Sequence, residues 1–377
     1  METNRQFAHH MLKEIHEQPH TVRDTLAGQV NSAAGTVTLT DFPLSSAELK
    51  SLAWLRIVAS GTSRYAGIYG KYLIEELTGI SVDVDYASEF ACRRSAFPPP
   101  LTIVTSQSGE TSDTLAALRK ARREGSKTLA ICNVKESSMM READATLHIQ
   151  AGPELSVPST KAFGGQLAFM FLVALYLAQA RQSIPDQLIA NYVLQLKELP
   201  DKMESVLHLD KRCAEIADRY ARFTDFIFFG RGPHYPIALD GALKLKEAAY
   251  VDTEGYPGGE FKHGQITLFD DQIVAVVLAT CDAESPDSIS RYSMSAVSAA
   301  EMSALSSHVV VLATEGDLQI SGFAEETLYL PLAAELLLPL LEIIPLELLA
   351  YHVSIFRGLN PDKPRNLSKS VIANGRG

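Results

Sequence analysis

Apolar residues fall along this chain in two alternating patterns. Short continuous runs, RIVAS at 56–60, LTIVT at 101–105 and KTLAIC at 127–132, are separated by stretches of helical spacing at 64–77 and 112–124. Runs of this length predict strands buried on both faces, and VDVDY at 82–86 adds another. The alternation returns later, with FIFFG at 226–230, a helix over 236–250, and strands over 273–278 and 308–313. Between the two blocks, 184–222 has helical rather than strand character and is predicted to bridge two lobes. Met11, Ile15, Val22 and Leu26 recur at helical intervals and predict an N-terminal helical arm. Strands alternating with helices of these lengths predict an α/β protein with parallel sheets covered on both faces.

The two blocks are related. VASGTSRYAGIYGKYL…VDVDYASEF can be laid over FFGRGPHYPIALDGAL…TEGYPGGEF with a small gap. Both run from an apolar strand through a glycine turn into a helix, and both end in a tyrosine followed closely by Glu-Phe. Self-similarity over such a span predicts duplication of one α/β unit.

Two stretches, 162–180 and 328–355, are apolar enough to suggest membrane spans. The first carries Gly164, Gly165, Gln166 and Gln179, and the second Glu335, Glu342 and Glu347. Three carboxylates at bilayer depth are costly, so both are expected to be core or interface helices. The remaining composition narrows the class of protein. A formal charge of −11 argues against a non-specific nucleic-acid binder. Four scattered cysteines form no metal spacing and suit a reduced, cytoplasmic setting, and the polar start METNRQ has no signal-peptide core.

Three turns are rich in hydroxyls. Ser106-Gln107-Ser108-Gly109-Glu110-Thr111 joins a strand to a helix, Gly61-Thr62-Ser63 does the same after the first strand, and Ser156 to Lys161 opens a long apolar helix. Free N–H groups at a helix start, with added hydroxyl donors and a glycine for close approach, make a neutral cradle for phosphate. Serine and threonine are also the preferred helix caps, so a capped helix start stands beside the phosphate cradle at this point. Neither Gly61-x₅-Gly67 nor Gly230-Arg231-Gly232 completes the glycine fingerprint of a dinucleotide site.

Candidates for chemistry lie in the second block. Lys244 and Glu247 share a helix face at i, i+3, which is either an exposed ion pair or a buried carboxylate base. His263 sits in the glycine-rich turn GGEFKHG, without the spacing or third ligand of a metal site. The tail NPDKPRNLSKS, from 360 to 370, is either loose or folds over a cleft to deliver Lys369 to a carbonyl.

Together these segments resemble the sugar isomerase (SIS) domains, in the arrangement of the isomerase half of glucosamine-6-phosphate synthases. The matching motifs are ASGTS at 59–63, SQSGETSDTLAALR at 106–119, STKAF at 159–163, YPIALDGALKLKE at 235–247, GGEFKHG at 258–264 and DKPRNLSKSV at 362–371. The resemblance implies two tandem, doubly wound parallel-sheet domains. It divides the chain into an arm over 1–40, a sugar-phosphate domain over 41–190, a catalytic domain over 191–355 and a tail over 356–377. It implies that Thr62, Ser63, Ser106, Gln107, Ser108 and Thr111 hold the phosphate and that Val157, Ser159 and Ser368 line the sugar.

The resemblance also assigns chemical roles. Glu247 is implied to move a proton between C1 and C2, assisted by Lys244. His263 is implied to open the ring from across a homodimer interface, and Lys369 to form an imine with the ketose. No cofactor or metal is implied, and no nucleic acid or membrane. Several positions depart from the synthase pattern: Ser60 replaces Cys, Gln265 replaces Pro, Ser368 replaces Ala, and Pro153 and Pro158 enter the loop. With METNRQ at its start, the chain is expected to lack the synthases' glutaminase domain. The expectation is therefore a hexosamine 6-phosphate isomerase/deaminase converting glucosamine 6-phosphate to fructose 6-phosphate and ammonia. The alternatives are a synthase fed by free ammonia or by a separate glutaminase subunit, a fructosamine 6-phosphate deglycase, and a non-catalytic sugar-phosphate sensor.

Overall fold

The computed structural model describes residues 7–94, 97–306 and 308–370, so METNRQ and Val371 lie outside the described residues. The arm holds α1 (His10–His16), α2 (Gln18–Leu26), a small hairpin of β1 (Val30–Asn31) and β2 (Thr36–Val37), and α3 (Ser46–Ser51). A first αβ block follows, with β3 (Trp54–Ala59), α4 (Gly61–Thr78), β4 (Ser81–Tyr86), α5 (Ala87–Cys92) and β5 (Leu101–Ser106). It continues through α6 (Ser112–Arg123), β6 (Lys127–Cys132), α7 (Ser138–Glu142) and β7 (Ala145–His148). Three helices come next: α8 (Lys161–Arg181), α9 (Asp186–Val206) and α10 (Asp210–Tyr220). The second block is β8 (Asp225–Gly230), α11 (Tyr235–Ala249), β9 (Asp252–Pro257), β10 (Ile273–Ala279), α12 (Pro286–Leu305), β11 (Val309–Thr314), β12 (Glu326–Leu330) and α13 (Leu338–Phe356).

Each block forms one five-stranded, wholly parallel sheet. The orders are β4-β3-β5-β6-β7 and β9-β8-β10-β11-β12, so the first strand of each block lies second and the chain reverses direction beside it. In such open sheets, ligands bind outside the carboxyl ends of the strands at the point of reversal. In the first sheet, Gly61–Ser63 leaves β3 and the Ser106–Thr111 loop leaves β5 at that point.

Backbone angles support the duplication. Ser60 and Arg231 occupy corresponding turns with φ −123°, ψ 150° and φ −123°, ψ 145°. Each is followed by a glycine in the left-handed region, Gly61 at φ 54° and Gly232 at φ 53°. A side chain at either glycine is strained by its φ alone.

The chain separates into two compact units. One holds residues through Glu17, Leu155–Thr160 and Asp201–Leu367; the other holds Gln18–Glu154, Lys161–Pro200 and the chain from Ser368. The arm is therefore shared, with α1 in the second-sheet unit and α2 in the first-sheet unit. The tail carboxylate of Asp362 accepts the N–H groups of His10 (2.9 Å) and Met11 (2.7 Å), supplying the cap that the His9 side chain does not.

The two long apolar helices are core elements of their own units. Nearly every residue of α8 is buried, including Gly165, where a Cβ would meet Ile149 Cγ2 at 2.4 Å. The α8 helix packs on α4 at Gly70, where a Cβ would lie 2.7 Å from Met170 Sδ. By length and composition α8 and the segment 335–356 pass for membrane spans, but both are buried inside protein. The glutamates of the second stretch have partners. Glu342 accepts from His234 Nδ1 at 2.8 Å and Thr280 Oγ1 at 2.5 Å, while Glu335 accepts from Arg291 Nε at 2.7 Å. Buried carboxylates paired in this way can be accommodated in a soluble core.

This cluster makes folding stability depend on pH. Burial works against charge on His234, but Glu342 and Glu335 outweigh it and raise the imidazole to about 9. A group whose folded pKa lies above its unfolded value of about 6.5 stabilises fully below the latter. That contribution, about 3 kcal/mol, is lost as pH rises through 9. Urea unfolding at pH 6.5 and pH 9.5 should show the wild type losing most of this difference, and His234→Gln should lack that part of the slope. Equal pH slopes in the two proteins would exclude a charged His234.

Candidate active site

The first-sheet unit carries the hydroxyl loop. Strand β5 is buried along its length because it is central and apolar, and it delivers Ser106, which is 4% exposed, to its carboxyl end. Ser106 Oγ accepts the Gly109 N–H at 3.1 Å and lies 3.2 Å from Thr111 Oγ1, while Ser108 Oγ accepts the Glu110 N–H at 3.2 Å. Gly109 is left-handed (φ 65°), and a Cβ there would come 2.2 Å from Ser137 Oγ. The turn can therefore be tight only with glycine.

The choice between cap and cradle rests on Thr111. It is the N-cap residue of α6, yet its side chain makes no capping bond. Ser60 likewise precedes α4 without capping it. Hydroxyls that gather at a helix start without capping it leave the first-turn N–H groups available to an anion. Thr62 is 8% exposed, and Ser63 Oγ accepts from Gln166 Nε2 of α8 at 2.8 Å. Val157 and Ser159 belong to the other unit. There the Val157 N–H donates to the Asp362 carbonyl at 3.0 Å, and Glu14 accepts the N–H groups of Leu155 (2.5 Å) and Ser156 (3.2 Å).

The first-sheet unit also holds the tail lysine. Lys369 Nζ donates to Glu154 Oε2 at 2.5 Å, and the Glu154 carboxylate is wholly buried. Its other oxygen accepts the Ala162 N–H at 3.0 Å, at the start of α8. A helix N-terminus favours a buried anion, which gives this carboxylate a physical reason to stay charged there. Ser368 is exposed beside Lys369. Sequence reading missed Glu154; the available signal was a single acid in the apolar approach to a helix, AGPEL.

In the second-sheet unit, Lys244 is fully buried and its Nζ donates to Glu247 Oε2 at 2.7 Å. Burial alone would push the ammonium down, but Glu247, Asp240 and Glu347 outweigh it and hold Lys244 above its usual value. The pair is thus a fixed ion pair rather than a solvated one. Its carboxylate, 18% exposed, faces a cavity of about 470 Å³ lined also by Tyr250, Asp252, Arg365 and Asn366. The tail lines one side of this open cavity: the Arg365 N–H donates to Tyr250 Oη at 2.7 Å, and its guanidinium stacks 4.4 Å from the Tyr250 ring. Arg365 and Tyr250 were also missed from sequence.

His263 stands apart from this cavity. It follows the short helix Gly258–Lys262 on an exposed turn, and its backbone N–H bonds to Glu260. The described residues include no group of three or more metal-ligating side chains suited to an ion.

The SIS domain profile matches residues 33–177 and 224–357, and the chain belongs to the SIS domain family. Among curated relatives it is 42% identical to the glutamine–fructose-6-phosphate aminotransferase (isomerizing) of Chlorobaculum tepidum, over 97% of this chain and 58% of that protein. It is 43% identical to the same enzyme of Symbiobacterium thermophilum, over 97% of this chain and 59% of that one. The chain thus spans about three-fifths of the curated relatives it matches. Among solved structures, the C-terminal domain of the Francisella tularensis glucosamine-fructose-6-phosphate aminotransferase superposes with TM-score 0.87 at 34% identity, covering 97% of this chain and all of that one. The Thermotoga maritima glucosamine-6-phosphate deaminase shares the fold, with TM-score 0.70 at 20% identity over 96% of this chain and 99% of that one.

Proposed function

We propose that this protein interconverts glucosamine 6-phosphate with fructose 6-phosphate and ammonia. The observation that carries the reading is the tail lysine bonded to a buried carboxylate, Lys369 to Glu154, in the same compact unit as the uncapped hydroxyl loop. A phosphate cradle and an imine-forming amine are the two parts that an aminosugar phosphate requires.

The reading assigns the phosphate to Ser106, Gln107, Ser108, Thr111, Thr62 and Ser63, and the sugar to Val157, Ser159 and Ser368. His263, supplied by a second copy of the chain, opens the ring. Glu247 takes the C2 proton of the open aldehyde and returns it to C1, leaving a ketimine at C2. Lys369 attacks C2, ammonia leaves, and water cleaves the lysine imine to give fructose 6-phosphate. Read backwards, the same residues aminate fructose 6-phosphate. Before it can attack, Lys369 must lose a proton, and Glu154 is the carboxylate placed to hold it.

The test is to incubate the full chain with glucosamine 6-phosphate and to measure ammonia and fructose 6-phosphate, then to supply fructose 6-phosphate with ammonium and measure the reverse. Product in either direction supports the reading. Tight sugar-phosphate binding with no product in either direction makes the protein a sensor. Thr111→Val should raise KM about tenfold or more with kcat little changed, since it removes one hydroxyl donor to a charged group. An unchanged KM would take Thr111 out of the cradle.

A further inference from the structure

The duplicated domain repeats the first sheet's backbone but not its phosphate loop. After β10, where the hydroxyl loop would fall, the chain reads Thr280-Cys281-Asp282-Ala283-Glu284-Ser285. Two carboxylates there repel a phosphate, and the Thr280 hydroxyl is already bonded to Glu342. A cation stands elsewhere in the domain. Arg231 holds the backbone position that Ser60 holds in the first repeat, with the same φ and nearly the same ψ.

The surroundings of Arg231 are unusual for a guanidinium. It is half-buried, and among the described residues no carboxylate pairs with it. Nη2 donates to Ser298 Oγ at 3.3 Å, and Nε is buried with no acceptor. Gly258 and Gly259 lie against the fork; a Cβ on either would come 3.1 Å from Nε or 3.4 Å from Nη1. The guanidinium and both glycines line a cavity of about 410 Å³, together with Ser293, Met294, Val297 and Lys262, whose ammonium donates to Glu301 at 2.6 Å. A partly desolvated cation with an unmet donor is costly unless an anion completes it.

We propose that this cavity is a second anion site, in which Arg231 grips a phosphate or carboxylate group with help from Ser298 and Ser293. It uses none of the side chains assigned to the sugar phosphate, although Gly258, Gly259 and Lys262 belong to the turn that leads to His263, and it does not depend on that reading. The proposed occupant is a small anion; a carboxylate from a second copy of this chain is the competing outcome, and the test separates the two.

Calorimetric titration of the full chain with inorganic phosphate should reveal two sites. Arg231→Met should remove one while leaving turnover of glucosamine 6-phosphate unchanged, and Thr111→Val should weaken the other. Should Arg231→Met fold poorly, Arg231→Lys keeps the charge but loses the fork, and it should weaken the second site about tenfold. Phosphate stoichiometry is readable even if the protein turns nothing over, so failure of this proposal and failure of the proposed activity are distinguishable. One phosphate site in the wild type, unaltered by Arg231→Met, overturns the proposal. If that single site is accompanied by weaker self-association of Arg231→Met in sedimentation, the guanidinium serves a carboxylate of a second copy, and the small-anion site is overturned as well.

Discussion

Glu247→Gln should lower turnover of glucosamine 6-phosphate about a thousandfold while binding of the sugar phosphate changes little. The substitution is nearly isosteric, and the amide oxygen can still accept from Lys244. What disappears is the capacity to carry a proton between C2 and C1. The variant should fold, because the buried Lys244 keeps the carboxylates of Asp240 and Glu347, which also raise its pKa. The decisive measurement is exchange of the C2 hydrogen with solvent deuterium, which reads the proton transfer apart from ammonia release. Exchange at the native rate in Glu247→Gln would remove this carboxylate from the role of base. The fixed Lys244–Glu247 pair also predicts an intolerance. Lys244→Met should cost both stability and rate, because Glu247 would lose the ammonium that orients it.

The central strands were legible because they are buried on both faces and apolar without interruption, as in KTLAIC, which forms β6 over the span read from sequence. Besides the small β1–β2 hairpin in the arm, read from sequence as helical, the strands that escaped notice were β7 (ATLH), β9 (DTEGYP) and β12 (ETLYL). The last three lie at edges of the five-stranded sheets, where one side lacks a neighbour and short mixed runs suffice. Helix α12 was missed for a different reason. Its serine-rich sequence has weak helical propensity, and packing decides it by burying Ser288, Ser295 and Ser298.

The site divides along similar lines. The hydroxyl loop was legible because its chemistry is local to one strand–helix turn. The Glu154–Lys369 pair spans 215 residues, and no periodicity or spacing reports such a contact. The tail motif singled out Lys369 and the resemblance gave it a role, while its carboxylate partner had to come from the structure. The His234–Glu342 contact escaped for the same reason, at a separation of 108 residues. Its glutamate was read from sequence only as a charge too costly for a membrane.

Lys369→Ala should reduce ammonia release about a thousandfold and spare exchange of the C2 hydrogen, because in the deaminating direction Glu247 acts before the lysine. Reduction of the working enzyme with borohydride in the presence of fructose 6-phosphate should fix a hexitol phosphate on Lys369, and nothing should be fixed on the alanine variant. Glu154→Gln tests the partner. It preserves size and the Ala162 N–H contact but cannot hold the lysine's proton, so ammonia release should fall about tenfold to a hundredfold. It should also lose less at higher pH, where solvent can take that proton. A merely structural tie would give a uniform loss at every pH, with the tail loosened toward proteolysis. If Lys369→Ala released ammonia at the native rate, the imine would leave the reaction. Glu154 would then be the buried carboxylate that anchors the tail, and ammonia would depart by direct attack of water on the ketimine.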